Sequence, residues 1–216
     1  AAVYRSDLAM QPNTSAYPMY NPTTPKNLLG FTEDFSASPT PWTNTRGSII
    51  ANSTTGPVNG LQTADAFNQI AASTNWAVLQ QTSSVAAGRK VFSVYAKPNG
   101  KNYLIMQANL NGAGNALTWF NVATGTAGTT NASHTALTPV SLGNGWWRFA
   151  IALDTTAATW AFGVGLADND NSTTVTDVGG LYVWGAQLSD SASLDTYTPV
   201  YGAAVTSAAY YGPRRD

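Results

Sequence analysis

The chain has 216 residues, only 10% of them charged, and its ten Lys and Arg against eleven Asp and Glu leave a net charge of −1. That balance excludes the basic surface a nucleic-acid partner requires. No run approaches the ~18 apolar residues that a membrane-spanning helix needs. Cysteine is absent, which excludes disulfides and thiolate metal sites and leaves the compartment unread from redox chemistry. The length suits one large β domain, or one domain with an arm. Residues 1–15 lack the basic-then-apolar order of a signal peptide. Any export is therefore expected by another route, such as release inside a virus particle.

Residues 1–26 differ from the rest of the chain. Pro12, Pro18, Pro22 and Pro25 break any helix or ladder, since each removes an N–H and fixes φ. Tyr4, Leu8, Met10, Tyr17, Met19 and Tyr20 lie among them, too apolar for an inert linker and too irregular for a helix. The segment either folds back on its own domain or forms an extended arm docked on a neighbour, with prolines lowering its ordering cost. The second is preferred.

From residue 27 onward, strand patterns recur between Gly, Asn and Thr turns. Weaker patterns fall near 46–52, 61–70, 75–83, 116–122 and 135–141. In VFSVYAK, Phe92, Val94 and Ala96 share a face, with Ser93, Tyr95 and Lys97 opposite. In NYLIMQANL, Leu104, Met106, Ala108 and Leu110 alternate with Tyr103, Ile105, Gln107 and Asn109. GWWRFAIAL places Trp147, Phe149, Ile151 and Leu153 inward, with Trp146 and Arg148 outward. WAFGVGLA sets Trp160, Phe162, Val164 and Leu166 against a small face of Ala161, Gly163, Gly165 and Ala167, open to close approach by another group. GLYVWGAQL reads as a core strand through Tyr182, Trp184, Ala186 and Leu188. No segment holds a helical period over ten residues. Nine or ten strands in two stacked antiparallel sheets, a jelly roll, fit this pattern. The expected layout is an arm over 1–26, a jelly roll over 27–205 and a tail over 206–216.

Five blocks carry a resemblance: NLLGFTEDFSASPTPWTNT (27–45), ASTNWAVLQQTSSVAAGRKVFSVYAKPNGKNYLIMQ (72–107), WFNVATGTAGT (119–129), LGNGWWRFAIAL (142–153) and GLYVWGAQLSDSASLDTYTPV (180–200). In this order they resemble the carbohydrate-binding-module-like jelly rolls of tailed-phage structural proteins, of head-spike, fibre and tail-associated type. The resemblance implies a virion location and other virion proteins, of capsid or tail, as partners through the arm. It also implies a homo-oligomeric assembly and, as a second role, recognition of host surface polysaccharide. A structural calcium would draw on the opening segment and the last strand, here Glu33, Asp34 and Asp177.

Taken residue by residue, catalysis has little to work with. His134 is the only histidine and Glu33 the only glutamate. A Ser–His–Asp triad would have to use His134, which in TTNASHTAL reads as solvent-exposed, and a glycosidase wants two flanking carboxyl groups. No catalytic residue is expected. For metal, Asp168 and Asp170 in DNDNS supply the oxygens calcium prefers, though an Asn/Asp-rich turn is the preferred reading. No other cofactor is expected. For a glycan, the outward set is Trp119, Trp146, Tyr95, Tyr103, Gln107, Asn109 and Arg148: rings stack on sugar faces while amides and Arg meet hydroxyls. The same residue types also make subunit or internal contacts, and both readings stay open.

Overall fold

The computed structural model describes residues 27–36, 41–176 and 178–202, and these form a two-sheet antiparallel β-sandwich of jelly-roll type. The expected arm, with Tyr4, Leu8, Met10, Tyr17, Met19 and Tyr20, lies outside the described residues, as do Asp177 and the 206–216 tail. Thirteen strands are formed among the described residues, more than the nine or ten expected. The surplus comes from short edge pieces whose side chains carry little alternation.

One sheet has six strands: β1 (Thr43–Thr45), β4 (Val78–Val85), β12 (Ala158–Ala167), β6 (Tyr103–Leu110), β7 (Leu117–Asn121) and β8 (Thr126–Thr130), side by side in that order. The other has seven. Its path runs β10 (Val140–Gly143), β11 (Trp146–Thr155), β5 (Gly88–Asn99), β13 (Gly179–Ser189), β3 (Gln62–Gln69) and β2 (Gly47–Thr55), while β9 (His134–Ala136) also pairs with β11. The core fills the space between the sheets with one apolar set from each strand: Phe92, Val94 and Ala96 of β5, Leu104, Met106 and Ala108 of β6, Phe149, Ile151 and Leu153 of β11, and Phe162, Val164 and Leu166 of β12. These are the sets that period-two alternation picks out, because successive side chains leave opposite faces of a strand. Leu110 is the exception, exposed at the end of β6. Leu28, Leu29, Phe35 and Trp42 of the opening segment close the core, and the Trp42 indole N–H reaches the Gly30 carbonyl at 3.1 Å.

The strand over 180–188 corrects the expectation. Leu181 and Val183 face the core, and so do Ala186 and Leu188, whereas Tyr182 and Trp184 face outward. A β-bulge between Trp184 and Gln187 makes this possible, and Gly185 sits in it at φ 62°. The bulge inserts a residue, so the side-chain parity reverses across it. A single alternating register therefore assigned Tyr182 and Trp184 to the wrong face.

Candidate functional site

The outward set expected from the sequence does not converge. Tyr95, Trp146 and Arg148 lie on the outer face of the seven-stranded sheet, and Trp119, Tyr103, Gln107 and Asn109 on that of the six-stranded sheet, with the core between them. Nor are they exposed. Trp119, Trp146, Tyr95, Gln107, Asn109 and Arg148 are only 4–7% accessible, and Tyr103 is half-buried. Trp147, expected inside, packs on the core edge only half-buried, its ring seated over Gly125. Trp146 is the more buried of the pair, because other parts of the chain cover it.

The cover on the seven-stranded sheet is the segment after β13, residues 190–202, which crosses the outer face as an irregular strap. Beneath it Tyr95, Trp146, Trp184 and Ala64 form an apolar layer, joined by the strap's Tyr197. The Tyr197 ring lies 4.9 Å from that of Trp184 and 5.6 Å from that of Tyr95, the latter edge-on, within the range where aromatic pairs attract. Leu194 closes a smaller layer over Val91, Ala150 and Ala152. Arg148 pins the strap from below: Nη1 donates to the Asp195 carbonyl at 2.7 Å, Nη2 donates to Ser93 Oγ at 3.0 Å, and the guanidinium lies 5.2 Å from the Tyr95 ring centre. Burial draws the Arg148 pKa downward. Tyr197 donates to Glu33 Oε1 at 3.3 Å and shares a hydrogen bond with Thr32. Desolvation raises both the Glu33 carboxyl and the Tyr197 phenol.

At one end the outer face of the six-stranded sheet carries a second packed layer. Trp76 sits directly on Gly165, where an added Cβ would lie 1.9 Å from the ring. The small face of β12 thus receives a side chain of the same molecule. Trp76, Val78, Ile105, Leu117, Trp119, Ala167 and Val175 form the covered layer, and Trp119 Nε1 donates to the Ser172 carbonyl at 3.0 Å. The loop that supplies Ser172 is the DNDNS segment, and its two carboxylates hold it in place. Asp168 pairs with the buried Lys101 ammonium and accepts from Thr176 Oγ1 at 2.8 Å. These contacts outweigh desolvation and hold its pKa down. Asp170 accepts from the Thr129 N–H at 2.8 Å and its hydroxyl at 3.0 Å, which also caps the outer edge of β8. The two carboxylates point to separate partners rather than to a shared centre. No group of three potential ligands suited to a metal occurs among the described residues.

Beyond that end the face is uncharged, and its central residues are buried. Ala161, Gly163, Gln107 and Asn109 make its floor, flanked by Gln80, Thr82 and Ser84 of β4. Gln107 Nε2 donates to Asn109 Oδ1 at 2.6 Å, and Asn109 Nδ2 to the Leu110 carbonyl at 3.2 Å. No Asp, Glu, Lys or Arg projects from this face on β4, β12, β6 or β7.

His134 is buried, not exposed as expected. Its Nε2–H donates to the Ala108 carbonyl at 2.9 Å, so Nδ1 accepts from the Thr118 hydroxyl, also at 2.9 Å. Desolvation lowers its pKa. Both ring nitrogens are thus engaged within the fold. Asp65 escaped the sequence reading. It is buried, its carboxylate accepts the backbone N–H groups of Phe35 at 3.0 Å and Asn52 at 2.9 Å, and desolvation raises its pKa to about 6. The available signal was a carboxylate in register with Phe67 in LQTADAFNQ, at a core-facing strand position.

No protein-family model matches the chain, and no curated protein sequence matches it. Similar solved structures include the enzymatically active domain of bacteriophage CBA120 tailspike protein 4, with TM-score 0.42 and 12% identity over 77% of this chain and 21% of that one. A Clostridium thermocellum xylanase 10B structure, with its carbohydrate-binding and catalytic modules in complex with xylohexaose, has TM-score 0.42 and 9% identity over 82% of this chain and 29% of that one. A family-35 carbohydrate-binding module from Cellvibrio japonicus has TM-score 0.35 and 16% identity over 66% of this chain and 85% of that one. The chain therefore spans less than a third of the first two.

Proposed function

We propose that this β-sandwich is a non-catalytic structural module of a phage particle, in the decoration, spike or fibre class. One observation carries the structural role: the aromatic, amide and guanidinium groups of both outer faces are engaged in covering the sandwich itself, at 4–7% exposure. A receptor that stacks sugars needs rings presented to solvent. The particle setting rests on the sequence resemblance across 27–205, and the 1–26 arm is the proposed anchor to capsid or tail proteins. Co-sedimentation with particles, comparing the full chain and a variant lacking residues 1–25, tests this. Binding only with the arm is the expected result. Equal binding without it removes the anchor, and no binding by either form removes the particle role.

A second reading is favoured by the uncharged half of the six-stranded face. Gln80 and the exposed Thr82 present an amide and a hydroxyl on a face with no charge, groups suited to neutral sugar hydroxyls. Screening against neutral and acidic glycans tests it. Loss of any neutral-glycan signal in Thr82→Ala, with the melting temperature kept, is the result that supports this reading.

A further inference from the structure

The strap over 190–202 is held in a particular way. Its contacts come mainly from side chains of the sandwich to its backbone, not from a strand ladder. Gln187 alone makes two: Oε1 accepts from the Thr198 N–H at 2.7 Å and Nε2 donates to the Thr196 carbonyl at 3.3 Å. Asn27 Nδ2 donates to the Thr198 carbonyl at 2.9 Å, and Thr32 Oγ1 accepts from the Val200 N–H at 2.9 Å. Arg148 holds the Asp195 carbonyl. Only Phe31 to Gly202 and Thr32 to Val200 are backbone pairs, both 2.9 Å. The layer beneath is separate from the main core, so lifting the strap opens neither sheet. Such a segment is a candidate for opening as one unit below the global unfolding free energy.

We propose that this strap detaches as a unit, and that the seat it vacates is an interaction surface whose other occupant is the strap of a second copy of this chain. The seat reads an extended backbone at Asp195, Thr196, Thr198 and Val200, and takes a leucine and a tyrosine three positions apart, Leu194 and Tyr197. The strap of another copy meets those requirements by identity, and exchange of identical elements is a low-cost route to a dimer. The hinge is also defined. Asp190 is fixed to the buried Lys90 at 2.7 Å, and beyond it Ser191 Oγ donates to Asp195 Oδ1 at 3.1 Å and accepts from the Ser193 N–H at 3.2 Å. That closed turn sends the strap back over its own sheet. Straightening it sends the strap outward.

Hydrogen exchange and light scattering test the proposal. In the wild-type chain, the Thr198 and Val200 amides are expected to exchange well before those of β5 and β11. Gln187→Ala removes two strap bonds and should speed that exchange about tenfold or more. Ser193→Pro removes the turn's donor and favours an extended residue before it, so it should convert the chain to a dimer at high concentration. Because the closed monomer and the exchanged dimer make the same seat contacts, adding Gln187→Ala to Ser193→Pro should accelerate dimer formation by the same factor without shifting its equilibrium. Strap amides that exchange only with global unfolding overturn the proposal. So does a Ser193→Pro chain that stays monomeric, or a dimer whose rate of formation is indifferent to Gln187→Ala.

Discussion

The two outer faces of the sandwich present the same sequence signal, aromatic residues alternating with the core set, and solve it differently. On the seven-stranded sheet a continuous strap covers Tyr95, Trp146 and Trp184, held by Arg148, Gln187, Asn27 and Thr32. On the six-stranded sheet a loop locked by Lys101–Asp168 and by Asp170 packs with Trp119 and Trp76 at one end. An outward aromatic therefore marks a second apolar layer as readily as a ligand platform. Which one it is depends on whether chain remains to cover it.

The comparison can be broken at its most buried ring. Trp184 is 1% exposed and donates from Nε1 to Thr63 Oγ1 at 3.0 Å. Trp184→Ala should cost about 3–5 kcal/mol in chemical denaturation, as a core residue would, although the ring lies outside the core. A loss below about 1 kcal/mol would show that the strapped layer is not part of the cooperative unit. On the other face, Asp168→Ala strands the buried Lys101 ammonium and should cost about 3 kcal/mol or more, whereas Asp170→Ala on the exposed edge should cost about 1 kcal/mol. Equal losses at the two aspartates would mean that the loop is not locked chiefly by the ion pair. Gly165→Ala drives a methyl into the Trp76 ring and should cost about 1–3 kcal/mol. Trp76 fluorescence should shift with it.

The smallest expected effect lies between the faces and is read as pH dependence. Burial lowers the His134 pKa, so its contribution is present above the unfolded value of 6.5 and is lost as pH falls through the folded value. Asp65 has the opposite sign. Its folded pKa of about 6 exceeds the ordinary 3.8, so its contribution is full below 3.8 and is lost as pH rises through about 6. In the wild-type chain the two slopes oppose each other. His134→Gln should leave the Asp65 slope, and that of the raised Glu33 carboxyl, unopposed by the imidazole, so that the urea midpoint rises on acidification from pH 7 to pH 5 relative to wild type. A midpoint that falls more steeply than in wild type would remove His134 from the acid response.

Much of the architecture was legible because period-two alternation is local: Phe92, Val94, Phe149, Ile151, Phe162 and Val164 announce their face through their immediate neighbours. Tyr182 and Trp184 were not legible, since a bulge at a glycine changes parity without changing composition. His134 was misread, and the partners of the DNDNS aspartates went unseen, for a different reason. A polar residue in a loop looks the same in sequence whether it meets water or a buried partner, and Thr118, Ala108, Lys101 and Thr129 are distant in sequence from the groups they satisfy.

By itself the sequence determined an all-β chain, the inward set of each long strand, a neutral surface and the absence of thiol chemistry. All of these arise from composition and from contacts between residues one or two positions apart. Only the tertiary structure decided that the outward set divides between two faces, that Trp146 is more buried than Trp147, and that the segment after the last strand folds back as a strap. Those outcomes depend on non-local packing, where Tyr197 meets Tyr95 and Gln187 reads the backbone of Thr196 and Thr198. Burial of an outer face is a property of whatever chain returns to it, and no periodicity within the strand encodes that return.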